Sequence, residues 1–196
     1  MKKIITATIS FLVILVAGIL LYQFVFAPNQ SNKDNPSTEM ESSVTNNTQM
    51  DDTETIPAAD FTVYAADGTA VNLSDFYGNP IVVNFWATWC PPCVSELPAF
   101  QDIYDEYGKD VHFLMVNMTD GTEETVEGVT KFIDENEYSF PVYYDTEMDA
   151  ALTYYITSIP RTLFIDAEGN IFYGHAGMMD YSTLKEYMEQ LVNQTK

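Results

Sequence analysis

Ile81-Val82-Val83-Asn84-Phe85-Trp86 runs straight into Ala87-Thr88-Trp89-Cys90-Pro91-Pro92-Cys93. The first six residues are almost wholly apolar, the pattern of a central strand covered on both faces. Pro91 and Pro92 suit the first turn of a helix, where a missing N–H costs nothing. A helix is therefore predicted from about Pro92 to Tyr107, stopped by Gly108 and kinked at Pro98. Two cysteines at the start of such a helix stand where orphan N–H groups and the helix dipole favour a thiolate. Cys90 is expected to be the lower-pKa, attacking sulfur. Cys93, one turn further in, is expected to be more buried and to resolve the mixed disulfide.

Outward from this stretch the chain alternates strands and helices. Phe61–Tyr64 is a short strand candidate, followed by the Asp67-Gly68 turn. Val111–Asn117 reads as a second buried strand. Glu123–Asn136 reads as a helix with Val126, Val129, Phe132 and Ile133 on one face. Val142–Tyr144 is a strand and Met148–Tyr155 a short helix. Thr162–Asp166 and Ile171–Tyr173 flank the turn Ala167-Glu168-Gly169-Asn170 and form a hairpin. Ser182–Val192 closes the chain as a helix with Leu184, Tyr187, Met188 and Leu191 inward. A β-α-β unit followed by α-β-β-α predicts an α/β fold, a central mixed sheet flanked by helices. That order is the one used by thioredoxin-like domains.

The N-terminus reads differently. After Lys2 and Lys3, residues 4–27 are apolar except for Thr6, Thr8, Ser10 and Gln23. As a helix at ~1.5 Å per residue the segment reaches ~36 Å, enough to cross a ~30 Å hydrocarbon core. It is longer than the apolar stretch of a cleaved signal peptide, and Pro28 after Ala27 disfavours cleavage. Residues 1–27 are thus expected to be an uncleaved signal-anchor, a single transmembrane helix. The leading lysines put the domain on the extracytoplasmic side of the cell membrane. Residues 28–55, rich in Asn, Ser, Thr, Gln and Asp, read as a flexible polar linker with ~30 Å r.m.s. reach. Residues 56–196 form the folded domain.

Composition removes several classes. The net charge is −21, from 29 acidic and 8 basic residues, which argues against nucleic acid. Two cysteines exclude a multiply stapled scaffold. One Cys-X-X-Cys supplies half of a zinc site, and neither His112 nor His175 has ligand spacing, so no metal is expected. A peroxidase of the peroxiredoxin kind would carry threonine and proline where Ala87 and Val83 stand.

Asn84-Phe85-Trp86-Ala87-Thr88-Trp89-Cys90-Pro91-Pro92-Cys93, with Glu96-Leu97-Pro98 behind it, resembles the TlpA/ResA-like family of membrane-anchored thioredoxin relatives. The resemblance extends from about residue 58 to the end. It implies dithiol–disulfide exchange with protein substrates and no cofactor beyond the Cys90–Cys93 redox pair. It also implies a cis peptide at Ile159-Pro160, facing the cysteines and able to pair with an extended substrate segment. Glu96 matches the family's acidic residue one turn after the second cysteine, a group that could exchange a proton with Cys93. Asn84 stands where cytoplasmic thioredoxins carry a buried aspartate. Arg161 departs from the threonine usual after the cis-proline. Trp89, Pro91, Pro92, Ile159 and Pro160 are therefore the expected substrate contacts, and Trp86 is expected in the core. Tethered relatives of this kind mostly act as reductants, as in cytochrome c maturation or repair of misoxidised proteins. The resemblance points to a monomer fed by a membrane thiol transporter. The alternatives are a tethered thiol oxidase and a non-catalytic peptide-binding module.

Overall fold

The computed structural model describes residues 55–194, all within the unit Met50–Lys196. The predicted anchor and residues 28–54 of the predicted linker lie outside the described residues. Among those described, no helix is long and apolar enough to cross a membrane.

The strands are β1 (Ile56–Pro57), β2 (Thr62–Tyr64), β3 (Ala70–Asn72), β4 (Ile81–Trp86), β5 (His112–Asn117), β6 (Val142–Tyr144), β7 (Arg161–Ile165) and β8 (Asn170–Ala176). The helices are α1 (Pro91–Tyr107), α2 (Val126–Glu135), α3 (Asp149–Thr153) and α4 (Tyr181–Gln194), with a 3-10 turn at Leu73–Phe76. One mixed sheet runs β1-β8-β7-β4-β5-β6-β2-β3. β4 pairs in parallel with β5 and antiparallel with β7, and so occupies the centre. This is the thioredoxin-like α/β arrangement.

Every residue of β4 is buried, as its apolar run requires. Side chains alternate across a strand. Val82 and Trp86 therefore join the core beneath α1 and α4, with Leu97, Phe100, Ile103, Phe113, Phe164, Leu184 and Met188. Ile81, Val83 and Phe85 join the opposite core, with Phe61, Val63, Leu73, Leu114, Val116 and Ile165. Asn84 faces the first core, where an apolar residue would be usual. Its polar partners there belong to the site.

Several local expectations shift, each for a physical reason. Helix α2 starts at Val126 rather than Glu123. The Asp120 carboxylate accepts from the backbone N–H of Thr122, Glu123 and Glu124 and holds them in a turn. Thr125 then caps the helix by accepting from the Gly128 N–H. α3 is shorter than Met148–Tyr155 because those two residues have φ of 58° and 50°, a left-handed backbone that a helix cannot include. Helix α1 starts one residue earlier than predicted and runs through Pro98 as one element. β1, β3 and the 3-10 turn are too short to show a sequence period. His175 lies within β8, which is longer than predicted.

The hairpin between β7 and β8 closes at Gly169, where φ is +86° and an added Cβ would meet the Tyr77 ring at 2.8 Å. Both constraints oppose a side chain. Gly169→Ala is expected to destabilise the domain by about 1–2 kcal/mol, read as a lower urea midpoint at unchanged slope.

Candidate functional site

Helix α1 begins at the cysteine pair. Cys90 is its N-cap, with extended backbone (φ −96°), and Pro91 and Pro92 fill the first helical positions. The two cysteines form a disulfide, with Cα atoms 5.3 Å apart. The Cys93 N–H points at Cys90 Sγ, 3.3 Å away, so a first-turn donor of the helix is aimed at the outer sulfur. Cys93 is fully buried. Cys90 is 4% exposed, much more covered than a freely reachable sulfur would be. The covering comes from elements far away in sequence, and the little access that remains is through a groove.

That groove has a volume of about 400 Å³. Trp89, Cys90 and Pro91 form one side, and Met118 and the loop Ile156–Ile159 form the rest. The Ile159-Pro160 peptide is cis. The Ile159 carbonyl lies 3.8 Å from Cys90 Sγ. The backbone before the proline thus faces the sulfur. Trp89 is 58% exposed and Trp86 fully buried. Pro92 is exposed but does not line the groove, and Pro160 is buried beside it. Arg161 opens β7, half-buried, and is also absent from the lining.

Glu96 is buried, at 1% exposure. Its Oε1 accepts from Asn84 Nδ2 at 2.9 Å and its Oε2 from the Met179 backbone N–H at 2.9 Å. Asn84 also donates to Thr162 Oγ1 at 3.0 Å. Burial raises the Glu96 pKa to about 7, against the opposing pull of the Met179 and Asn84 hydrogen bonds. An acid half-protonated near neutrality thus sits one turn past Cys93. The spacing alone is equally that of an exposed helix acid.

A second buried acid was not anticipated. Glu124, at 1% exposure, accepts from the Thr88 backbone N–H at 2.7 Å, from Thr88 Oγ1, and from Asn117 Nδ2 at 2.6 Å. In the sequence it falls at the start of the predicted helix Glu123–Asn136 and is not among the residues of its apolar face. Met118 and the loop before Ile159 were also missed, because only the folded chain brings them to the cysteines. Among the described residues, no cluster of three or more His, Cys, Asp or Glu is placed to hold a metal ion.

A thioredoxin-like sheet with a Cys-X-X-Cys disulfide at a helix start, facing an X–Pro cis peptide, defines the class of thioredoxin-like thiol–disulfide oxidoreductases. The Redoxin family model matches residues 51–191, and the chain belongs to that family, among members of the ResA and StoA kind. It is 39% identical over 129 residues to thiol-disulfide oxidoreductase ResA of Oceanobacillus iheyensis, covering 65% of each chain. The match thus spans just under two thirds of that relative's length. It is 32% identical to sporulation thiol-disulfide oxidoreductase A of Bacillus subtilis, covering 69% of this chain and 81% of that one. The crystal structure of StoA from Bacillus subtilis superposes with a TM-score of 0.58 at 30% identity, over 68% of this chain and 98% of that one. The exposed lipoprotein thioredoxin Etrx1 of Streptococcus pneumoniae gives 0.58 at 31% identity, over 68% and 100%.

Proposed function

We propose that this chain exchanges disulfides with extracytoplasmic proteins, working as a reductant tethered to the cell membrane through residues 1–27. The observation that carries the reading is the groove that opens on Cys90 and ends at the Ile159-Pro160 cis peptide. An extended segment lying there brings a disulfide onto the outer sulfur while its backbone meets the carbonyl of Ile159. Cys90 attacks, one sulfur of the target leaves as a thiol, and Cys93 then displaces the second. The target gains two electrons and two protons, and the enzyme ends as the Cys90–Cys93 disulfide. Glu96 takes the proton from Cys93 as it becomes a nucleophile. No cofactor beyond the cysteine pair is needed for these steps. A membrane thiol carrier would return the disulfide to the dithiol, and the chain would act as a monomer.

The extracytoplasmic setting rests on the apolar span behind Lys2 and Lys3 and the polar stretch that follows it. The reductant direction rests on the family resemblance. Insulin reduction by the purified full-length chain tests exchange, and a chain that cannot reduce insulin is a binder instead. A reduction potential below roughly −200 mV supports the reductant, whereas one near −120 mV makes the chain an oxidant.

Trp89 stands at the rim of the groove with most of its ring in solvent. Exposed aromatics at such rims anchor partners. Trp89→Ala is expected to raise KM for a protein disulfide about tenfold, a loss of roughly 1.4 kcal/mol. The rate with a small disulfide such as glutathione disulfide stays near wild type. Equal loss with both substrates would remove Trp89 from partner binding.

A further inference from the structure

We propose that Glu124 is a positioning residue, a buried strut that fixes the turn carrying Trp89 and Cys90 against the opposite wall of the groove. The proposal rests on the exchange activity proposed above and names a residue that sets its geometry.

The starting point is a carboxyl group in an expensive place. Glu124 is buried, and its hydrogen-bond partners, Thr88 and Asn117, are neutral. Burial of a charge without a cationic partner is costly and persists only where several donors meet it. Three hydrogen bonds from Thr88 and Asn117 engage both carboxyl oxygens. Helix α2 does not need this acid at its start, because Thr125 already provides the cap.

The backbone of Glu124 is prepared for the task. Its N–H is held by Asp120 Oδ1, and its carbonyl accepts from the N–H groups of Asp120 and Gly121. The side chain therefore projects inward from a closed turn, not from a free loop.

Its targets belong to the two sides of the groove. Thr88 is held twice, by its N–H and its hydroxyl, and lies two residues before Cys90. The Cys90 N–H bonds the Ala87 carbonyl at 3.3 Å, so Thr88 and Trp89 form the bend of one tight turn. Fixing Thr88 fixes that bend, and with it Trp89 and the N-cap cysteine. On the other side Asn117 Nδ2 bonds the same carboxylate oxygen that takes the Thr88 N–H. Asn117 directly precedes Met118, which lines the groove and donates its N–H to the Trp86 carbonyl at 2.9 Å. Thr119 Oγ1 donates to Asn117 Oδ1 at 2.7 Å and completes the chain of bonds. One carboxylate thus ties the cysteine wall to the Met118 wall.

The test uses the full-length chain and two variants. Thr88→Val deletes one bond to Glu124 at nearly constant volume. Glu124→Ala deletes the whole strut. Each is expected to raise KM for exchange with a peptide disulfide by about tenfold, the scale of one lost buried hydrogen bond. Glutathione disulfide is too small to span both walls of the groove, so its rate falls by no more than about threefold, the change that a half-unit shift at Cys90 allows. Thr88→Ser keeps both bonds and restores wild-type KM, and Glu123→Gln, at an exposed neighbour, matches wild type. Iodoacetamide alkylation of the reduced chain needs no partner. Its pH midpoint at Cys90 is expected to rise by about half a unit in Thr88→Val, as the thiolate loses alignment with the first-turn N–H groups. A wild type that turns over no peptide removes the proposed function and leaves alkylation to judge the strut. Folded variants with lower melting temperatures but wild-type KM and alkylation midpoint would show Glu124 to be only structural and overturn the proposal.

Discussion

Replacing Cys90 by Ser is expected to abolish protein disulfide exchange, with a loss of at least about a thousandfold, because a serine hydroxyl is not ionised near neutrality and forms no disulfide. The geometry says why the loss falls on this sulfur. Cys90 is the N-cap of α1, receives the Cys93 N–H, and lines the groove, whereas Cys93 is fully covered. A partner can meet only the first of them. Cys93→Ser should therefore behave differently. Cys90 can still attack, but no second sulfur releases the product, and the chain accumulates as a mixed disulfide with its partner. Insulin turbidity reads the first variant, and a non-reducing gel followed by mass spectrometry reads the second. Trapping by Cys90→Ser instead of Cys93→Ser would reverse the assignment. The 4% exposure of Cys90 belongs to the disulfide form and makes the reduced chain's alkylation at neutral pH an equally direct check.

Glu96→Gln should change the pH dependence of stability by roughly 2–3 kcal/mol between pH 5 and pH 8. The sign follows from the two protonation states. The folded protein holds the Glu96 carboxyl at about 7, raised from 4.5 mainly by burial. Between those values the folded chain binds more protons at this site than the unfolded chain does. Stability from this site is therefore fully present below about pH 4.5 and is lost as pH rises through 7. Glutamine cannot titrate. It also weakens the hydrogen bonds from Met179 and Asn84, a penalty that does not vary with pH in this range. The variant should thus gain on wild type steadily as pH rises. Urea unfolding of the oxidised chain at both pH values measures the difference, and a constant offset would contradict a buried, titrating Glu96. The same substitution should slow exchange near neutral pH and flatten the inflection near pH 7 in its rate profile. An unchanged profile would leave Glu96 a structural acid.

Local signals carried much of the fold. The apolar run of β4, the prolines at the start of α1 and Gly108 at its end are each read from a few neighbouring residues, and the structure places them accordingly. The hairpin turn at Gly169 is equally local. Features that failed were those with no period or whose neighbours override it. β1 and β3 are too short to alternate detectably. The start of α2 moved because the Asp120 side chain competes for the N–H groups that a helix would use.

The amino-acid sequence by itself determined the chemistry: two sulfurs at i and i+3, one at a helix start, since dipole and orphan N–H groups act over a single turn. Tertiary structure alone decided the environment of that chemistry. Glu96 titrates near 7 because elements distant in sequence bury it, against the opposing pull of a backbone N–H from a residue 83 positions away. Glu124 turns inward to meet Thr88, 36 positions earlier, although its neighbours in sequence are solvated. The groove over Cys90 is assembled from three separate segments of chain. Desolvation and enclosure depend on which distant surfaces come together. Periodicity reports only which face of an element is apolar, and carries no record of what will cover it.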